Sequence, residues 1–255
     1  MEIIIAPNAA NVALEAANIV TELVRAKPNA VLGLATGSSP LGLYAELAAR
    51  VARGLDMTAV TGFALDEYVG LTPDDPRSYA HVIRSHVTEP LNLDPAKVHV
   101  PAGVGDDLTA ACQRYEDAIA RAGGIDLQVL GIGRNGHLGF NEPSSPLESR
   151  TRVASLAEAT RRDNARFFDR PEAVPVQCVT QGLATIMDAR RTLLIATGAA
   201  KADSIASAIE GPVSTSCPAS VLQRHRDAVV VCDPEAAAKL TTQGERSDGR
   251  TVVIA

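Results

Sequence analysis

The sequence predicts an α/β fold, a mainly parallel sheet with helices on both faces, and three observations carry the expectation. Short β-branched runs alternate with longer alanine-rich segments, the pattern of strands joined by crossover helices. The chain has 255 residues and 46% apolar content, enough to bury a core around one such sheet. The residues best suited to chemistry follow the short runs, and open parallel sheets bind ligands beyond the carboxyl ends of their strands. Residues 1–255 are therefore read as one domain.

In chain order the strands are expected at 3–6, 31–35, 62–65, 98–100, 127–132, 192–197 and 228–232. Helices are expected at 9–26, 41–53, 79–90, 108–122, 156–168 and 201–209. Pro40 fits the first position of the second helix, where a missing N–H costs nothing. The polar tail, Thr241 to Arg250, reads as a surface connection. No repeat or low-complexity segment is visible.

Composition narrows the function. Aromatic residues make up 3% with no Trp, and the net charge is −6. Stacking platforms and a basic face for nucleic acid are both missing, so an anionic ligand must be met by local cations or backbone amides. No window approaches the apolar length of a membrane span, and no basic segment with a long apolar stretch opens the chain, so a cytoplasmic protein is expected. Cys112, Cys178, Cys217 and Cys232 are scattered without a C-x-x-C pair, which indicates neither a zinc site nor a disulfide framework.

The run from Gly131 to Pro143, Gly-Ile-Gly-Arg-Asn-Gly-His-Leu-Gly-Phe-Asn-Glu-Pro, satisfies G-x-G-x-x-G after an apolar strand. A dinucleotide site also needs a helix opening at the third glycine, and Gly139 and Pro143 interrupt one. Glu158 stands at the distance of a ribose-binding acid, but in a helical stretch rather than at a strand end. The run is better read as a loop exposing His137 and Glu142. These two can form a carboxylate–imidazole pair that fixes the tautomer, and Pro143 keeps Glu142 extended.

Three other loops matter. Thr36-Gly37-Ser38-Ser39-Pro40 follows a strand and opens a helix. Its amides and hydroxyls either face an anion or simply cap the helix through Ser38 or Ser39. Asp66 and Glu67 end another strand. Alternation lets only one face the crevice, where a carboxylate can take a proton from carbon next to a carbonyl; otherwise Asp66 caps a turn and Glu67 pairs with a surface Arg. Lys201 opens a helix whose dipole opposes its charge, a conflict that a bound anion relieves. Arg162 and Arg166 share one helix face and either could reach an anion.

Together Leu34 to Pro40, Phe63 to Leu71 and Gly131 to Pro143 resemble the glucosamine-6-phosphate deaminases. So do Ser149-Arg150-Thr151-Arg152, Asn164-Ala165-Arg166-Phe167-Phe168 and Glu210-Gly211-Pro212-Val213-Ser214, in order along nearly the whole chain. The resemblance implies a Rossmann-like sheet and a cofactor-free, metal-free conversion of glucosamine 6-phosphate and water to fructose 6-phosphate and ammonia. It makes Asp66 the base that moves the C2 proton toward C1. His137 would open the sugar ring, with Asn135 and Glu142 positioning it. Thr36, Gly37, Ser38, Ser39, Arg166 and Lys201 would hold the phosphate. The implied partner is this small molecule, handled by a monomer or homo-oligomer, with no nucleic acid and no membrane.

Two departures from the family pattern stand out. Many relatives have Asp where this chain has Asn135, so here the residue orients rather than titrates. Allosterically activated hexameric members carry Lys at the position of Ala154, two residues past Arg152, and an aromatic C-terminal extension that this chain lacks. No strong activation by N-acetylglucosamine 6-phosphate is expected. Two rival readings are 6-phosphogluconolactonase and a sugar-phosphate sensor without catalysis. The lactonases typically follow the acidic pair with Arg and lack the Asn-Glu-Pro ending, whereas this chain has Tyr68 and Asn141-Glu142-Pro143. The related sensors carry a DNA-binding appendage, and none precedes Met1.

Overall fold

A computed structural model of the chain describes residues 1–241 and the backbone of 245–247 and 250–254. The strands are β1 (Glu2–Ile5), β2 (Val31–Leu34), β3 (Thr61–Ala64), β4 (Asp66–Tyr68), β5 (Val98–His99), β6 (Leu127–Leu130), β7 (Arg152–Ser155), β8 (Gln177–Thr180), β9 (Arg191–Ala196), β10 (Ala228–Cys232), β11 (Glu245–Ser247) and β12 (Arg250–Ile254). The helices are α1 (Ala9–Ala26), α2 (Leu41–Ala52), α3 (Tyr79–Ile83), α4 (Leu108–Arg121), α5 (Glu158–Asn164), α6 (Leu183–Met187) and α7 (Ala202–Ile209).

Among the described residues the main sheet runs β11-β12-β1-β10-β9-β6-β2-β3-β5. It is parallel from β1 through β5. All four residues of β2 and of β6 are buried, as expected of central strands covered on both faces. From β2 the chain steps outward through β3 to β5, and from β6 it steps the other way through β9 to β10. The order therefore reverses between β2 and β6, and the crevice for a ligand opens beyond their carboxyl ends.

Three expectations need correction. The tail read as a surface connection instead supplies β11 and β12, with β12 pairing antiparallel to β1; residues 242–244, 248–249 and 255 lie outside the described residues. A second, antiparallel sheet, β4-β8-β7, was not foreseen. Its strands are three or four residues long, too short for a period-two pattern to show. The helices expected at 79–90 and 156–168 are broken: α3 passes into a π-helical turn at Arg84–Thr88, and α5 into a 3₁₀ turn at Ala165–Phe167. No helix among the described residues is long and apolar enough to cross a membrane.

Candidate active site

The loops that leave β2, β3, β6 and β9 converge on one pocket. After β2, Gly37 takes φ 81°, a left-handed conformation that favours glycine. Pro40 occupies the N-cap of α2, one residue ahead of its expected place, and no side chain caps that helix. The hydroxyls of Ser38 and Ser39 are thus not engaged by the helix end, which removes the plain capping alternative.

The glycines after β6 serve an imidazole rather than a pyrophosphate. A Cβ on Gly131 would come within 3.3 Å of Ser39, and one on Gly133 within 2.2 Å of the His137 ring. Gly136 takes φ 81°, and the amide of Gly133 donates to the carbonyl of His137 at 3.0 Å. The loop is therefore folded back on itself with the imidazole lying against backbone.

Behind that imidazole stand Asn135 and Glu142. His137 Nδ1 lies 3.5 Å from Glu142 Oε2, and Asn135 Nδ2 donates to the same oxygen at 2.7 Å. Asn135 Oδ1 accepts the backbone N–H of His137 at 3.3 Å. Burial pushes the Glu142 carboxyl up, but the His137 ring beside it and hydrogen bonds from Thr160 and Asn135 outweigh it and bring the pKa down to about 2. Glu142 is thus a fixed anion that orients the ring. His137 lines the pocket; Asn135 and Glu142 do not.

Asp66 and Glu67 divide as the alternation argument required, though Asp66 lies in β4 rather than in a loop. Asp66 lines the pocket and is 4% exposed. Burial and the adjacent Glu67 charge push its pKa up to about 8, with the Thr36 side chain pulling the other way. Glu67 meets no surface Arg; it accepts the backbone amides of Tyr79 at 2.9 Å and Ala80 at 2.8 Å, the first turn of α3.

The far wall is cationic. Lys201, at the end of the 3₁₀ turn before α7, donates to the Ile132 carbonyl at 2.6 Å. Burial lowers its pKa most, the Arg134 charge adds to that, and so does Arg166, against an opposing pull from Asp163. Arg166 lines the pocket; Arg162 does not, and it pairs with Glu158 at 3.7 Å. The structure thus brings Thr36, Gly37, Ser38, Ser39, Asp66, His137, Arg166 and Lys201 to one cavity.

Sequence reasoning missed Arg134, Tyr79 and Asn164, which also line it. Arg134 stood in plain view three residues before His137, its charge overlooked beside the glycine pattern. Tyr79 and Asn164 reach the pocket from α3 and α5, and no local pattern announces that.

The model of the glucosamine-6-phosphate isomerase/6-phosphogluconolactonase family matches residues 6–231. The glucosamine-6-phosphate deaminase of Cutibacterium acnes is 57% identical over 94% of this chain and 93% of its own length. That of Shewanella loihica is 52% identical over 94% and 90%. A solved structure of a monomeric glucosamine-6-phosphate deaminase superposes with a TM-score of 0.92 at 40% identity, covering 94% of this chain and 100% of the other. The 6-phosphogluconolactonase of Trypanosoma brucei, at 20% identity and a TM-score of 0.73, shares the fold, over 94% of this chain and 98% of that one. The chain belongs to the glucosamine-6-phosphate isomerase/6-phosphogluconolactonase family.

Proposed function

We propose that this protein is an enzyme that converts glucosamine 6-phosphate and water to fructose 6-phosphate and ammonia. One observation carries the reading: a buried carboxylate and a carboxylate-oriented imidazole face the same cavity, whose far wall is built from cations and unengaged hydroxyls. Its 57% identity to a deaminase supports it.

The phosphate dianion binds against Lys201, Arg166 and the loop Thr36–Gly37–Ser38–Ser39, and Arg134 adds charge there. Binding energy at this remote group orients C1 and C2 over Asp66. His137 takes the proton of the C1 hydroxyl and returns one to the ring oxygen, so the pyranose opens to the aldehyde. Asp66, as carboxylate, removes the C2 proton while the C1 carbonyl oxygen takes a proton released by the C2 ammonium, giving an enolamine; Asp66 then delivers its proton to C1, leaving an iminium at C2 and a hydroxyl on C1. Water adds to that carbon, ammonia departs, and the C2 ketone of fructose 6-phosphate remains. Asn135 and Glu142 hold the imidazole in place throughout. Each step is assigned to side chains and water, with none routed through a metal or cofactor.

The reading treats residues 1–255 as one sugar-phosphate domain working in the cytoplasm on a small molecule, without nucleic acid or membrane. Similarity to a monomeric deaminase supports a monomer over a homo-oligomer. The test is release of ammonia and fructose 6-phosphate from glucosamine 6-phosphate, beside galactosamine 6-phosphate and 6-phosphogluconolactone. Stoichiometric release of both products is expected; lactone hydrolysis alone, or binding without turnover, would overturn the proposal.

A further inference from the structure

Glu67 stands beside the proposed base, and the reaction does not use it. It is 2% exposed, and its carboxylate gathers three backbone donors: Tyr68 at 2.7 Å and Tyr79 at 2.9 Å on one oxygen, Ala80 at 2.8 Å on the other. The Tyr79 and Ala80 amides are the unpaired N–H groups that a helix start leaves over. The carboxylate therefore ties the first turn of α3 to β4, next to Asp66. Tyr79, fixed by this tie, lines the pocket and stacks on Phe140 with ring centroids 5.6 Å apart.

The pair is chemically unequal. Three amides favour the ionised form of Glu67, while Asp66 has the Thr36 side chain to favour its charge. Two adjacent buried carboxylates resist being ionised together, and the less solvated one keeps the proton. Resting on the reading of Asp66 as base, we propose that Glu67 is a positioning residue: its clamped carboxylate fixes Asp66 and Tyr79 relative to each other and makes Asp66 the stronger base of the two.

The other titratable groups around Asp66 do not imitate this effect. Tyr68 on β4, Tyr79 on α3, Tyr115 on α4 and Cys178 on β8 face it, and burial pushes each of them up, so they stay neutral where the base titrates. Burial pushes the Glu67 carboxyl itself up, the three amides pull it back, and Asp75, ahead of α3, also works against its charge.

The experiment is the pH profile of kcat/KM for Glu67→Gln and Glu67→Asp, with Asp66→Asn beside them. Gln removes the charge, so the acid limb should move down by about one pH unit with KM little changed. Asp keeps the charge and shortens the reach, so the limb should stay while kcat falls about tenfold through misplacement of the base. A merely structural Glu67 would lower melting temperature without moving the limb. An unmoved limb in the Gln variant overturns the inference, as does a limb displaced in the Asp variant, which decides the matter if the Gln protein does not fold. Near-full turnover in Asp66→Asn would overturn this inference and the base assignment together; loss of turnover there with an unmoved Gln limb would overturn this inference alone.

Discussion

Replacing Asp66 by Asn should slow the enzyme and stabilise it, and the stabilisation should depend on pH in a defined way. Burial and the Glu67 charge raise the Asp66 pKa from 3.8 to about 8, so the folded protein holds this proton more tightly than the unfolded chain does. Such a group's contribution is fully present below about pH 4 and is lost as the pH climbs through about 8. Each pH unit in that window costs about 1.4 kcal/mol, approaching roughly 5–6 kcal/mol above pH 8. Asn cannot ionise and escapes this cost. Between pH 5 and 8.5 the stability advantage of Asp66→Asn should widen by roughly 4 kcal/mol, on the order of 10 °C in melting temperature for a chain of this size. Calorimetry at both pH values reads it directly. Turnover should fall by about 10²–10⁴ while fructose 6-phosphate still binds, and wild-type kcat/KM should rise with pH through about 8. An advantage of equal size at both pH values, or a variant less stable at pH 8.5, refutes the reasoning about burial.

Gly133→Ala places a methyl within 2.2 Å of the His137 ring, so kcat should drop by at least about 10² while fructose 6-phosphate affinity holds; retained kcat would show that the ring need not lie there. Lys201→Met removes a half-buried cation from the phosphate wall and should weaken fructose 6-phosphate binding by roughly 10–100-fold, from the loss of one charge-assisted contact, measured by titration calorimetry. Glu142 is depressed from 4.5 to about 2, so its contribution is complete above pH 4.5 and fades as the pH falls toward 2. Wild type should therefore outlast Glu142→Gln in thermal melts at pH 7, with the difference shrinking at pH 3. N-acetylglucosamine 6-phosphate should leave the substrate curve hyperbolic. Ala154 offers no cation, and Arg152 is already tied to Asn141 at 2.8 Å and Ser145 at 3.2 Å; a sigmoidal curve that this compound abolishes would contradict that.

The parallel sheet was legible because its strands are buried on both faces and read as short apolar runs, such as Val31–Leu34 and Leu127–Leu130. The small antiparallel sheet was not, because Asp-Glu-Tyr at β4 carries its meaning in three residues and in pairing partners more than a hundred positions away. The site divides along the same line. Asp66, His137 and the phosphate loop stand at strand ends, where topology alone assigns them a crevice. Tyr79 and Asn164 arrive from helices whose approach is set by long-range contacts, among them the Asn164 bond to the Tyr68 hydroxyl at 2.9 Å, and nothing local encodes those. Arg134 is a different case. Its position in the loop is plain from the sequence, but that its side chain borders the pocket, close enough for its charge to act on Lys201, is set by the fold of the loop.

Asn135 shows what an amide does at this position that a carboxylate would not. Its two ends do opposite things at once: the nitrogen donates to Glu142 and the oxygen accepts the His137 amide. A carboxylate could only accept. Placed 2.7 Å from Glu142, it would need a proton between them, and the two acids would then titrate as a pair. With an amide, Glu142 keeps a fixed negative charge over the working range and the proton inventory near His137 is reduced to the imidazole itself. The chemistry assigned to this loop needs one group that changes protonation and neighbours that hold it still. Asn135 supplies a neighbour of that kind, so an amide at this position simplifies the site without removing any group that the ring-opening step uses.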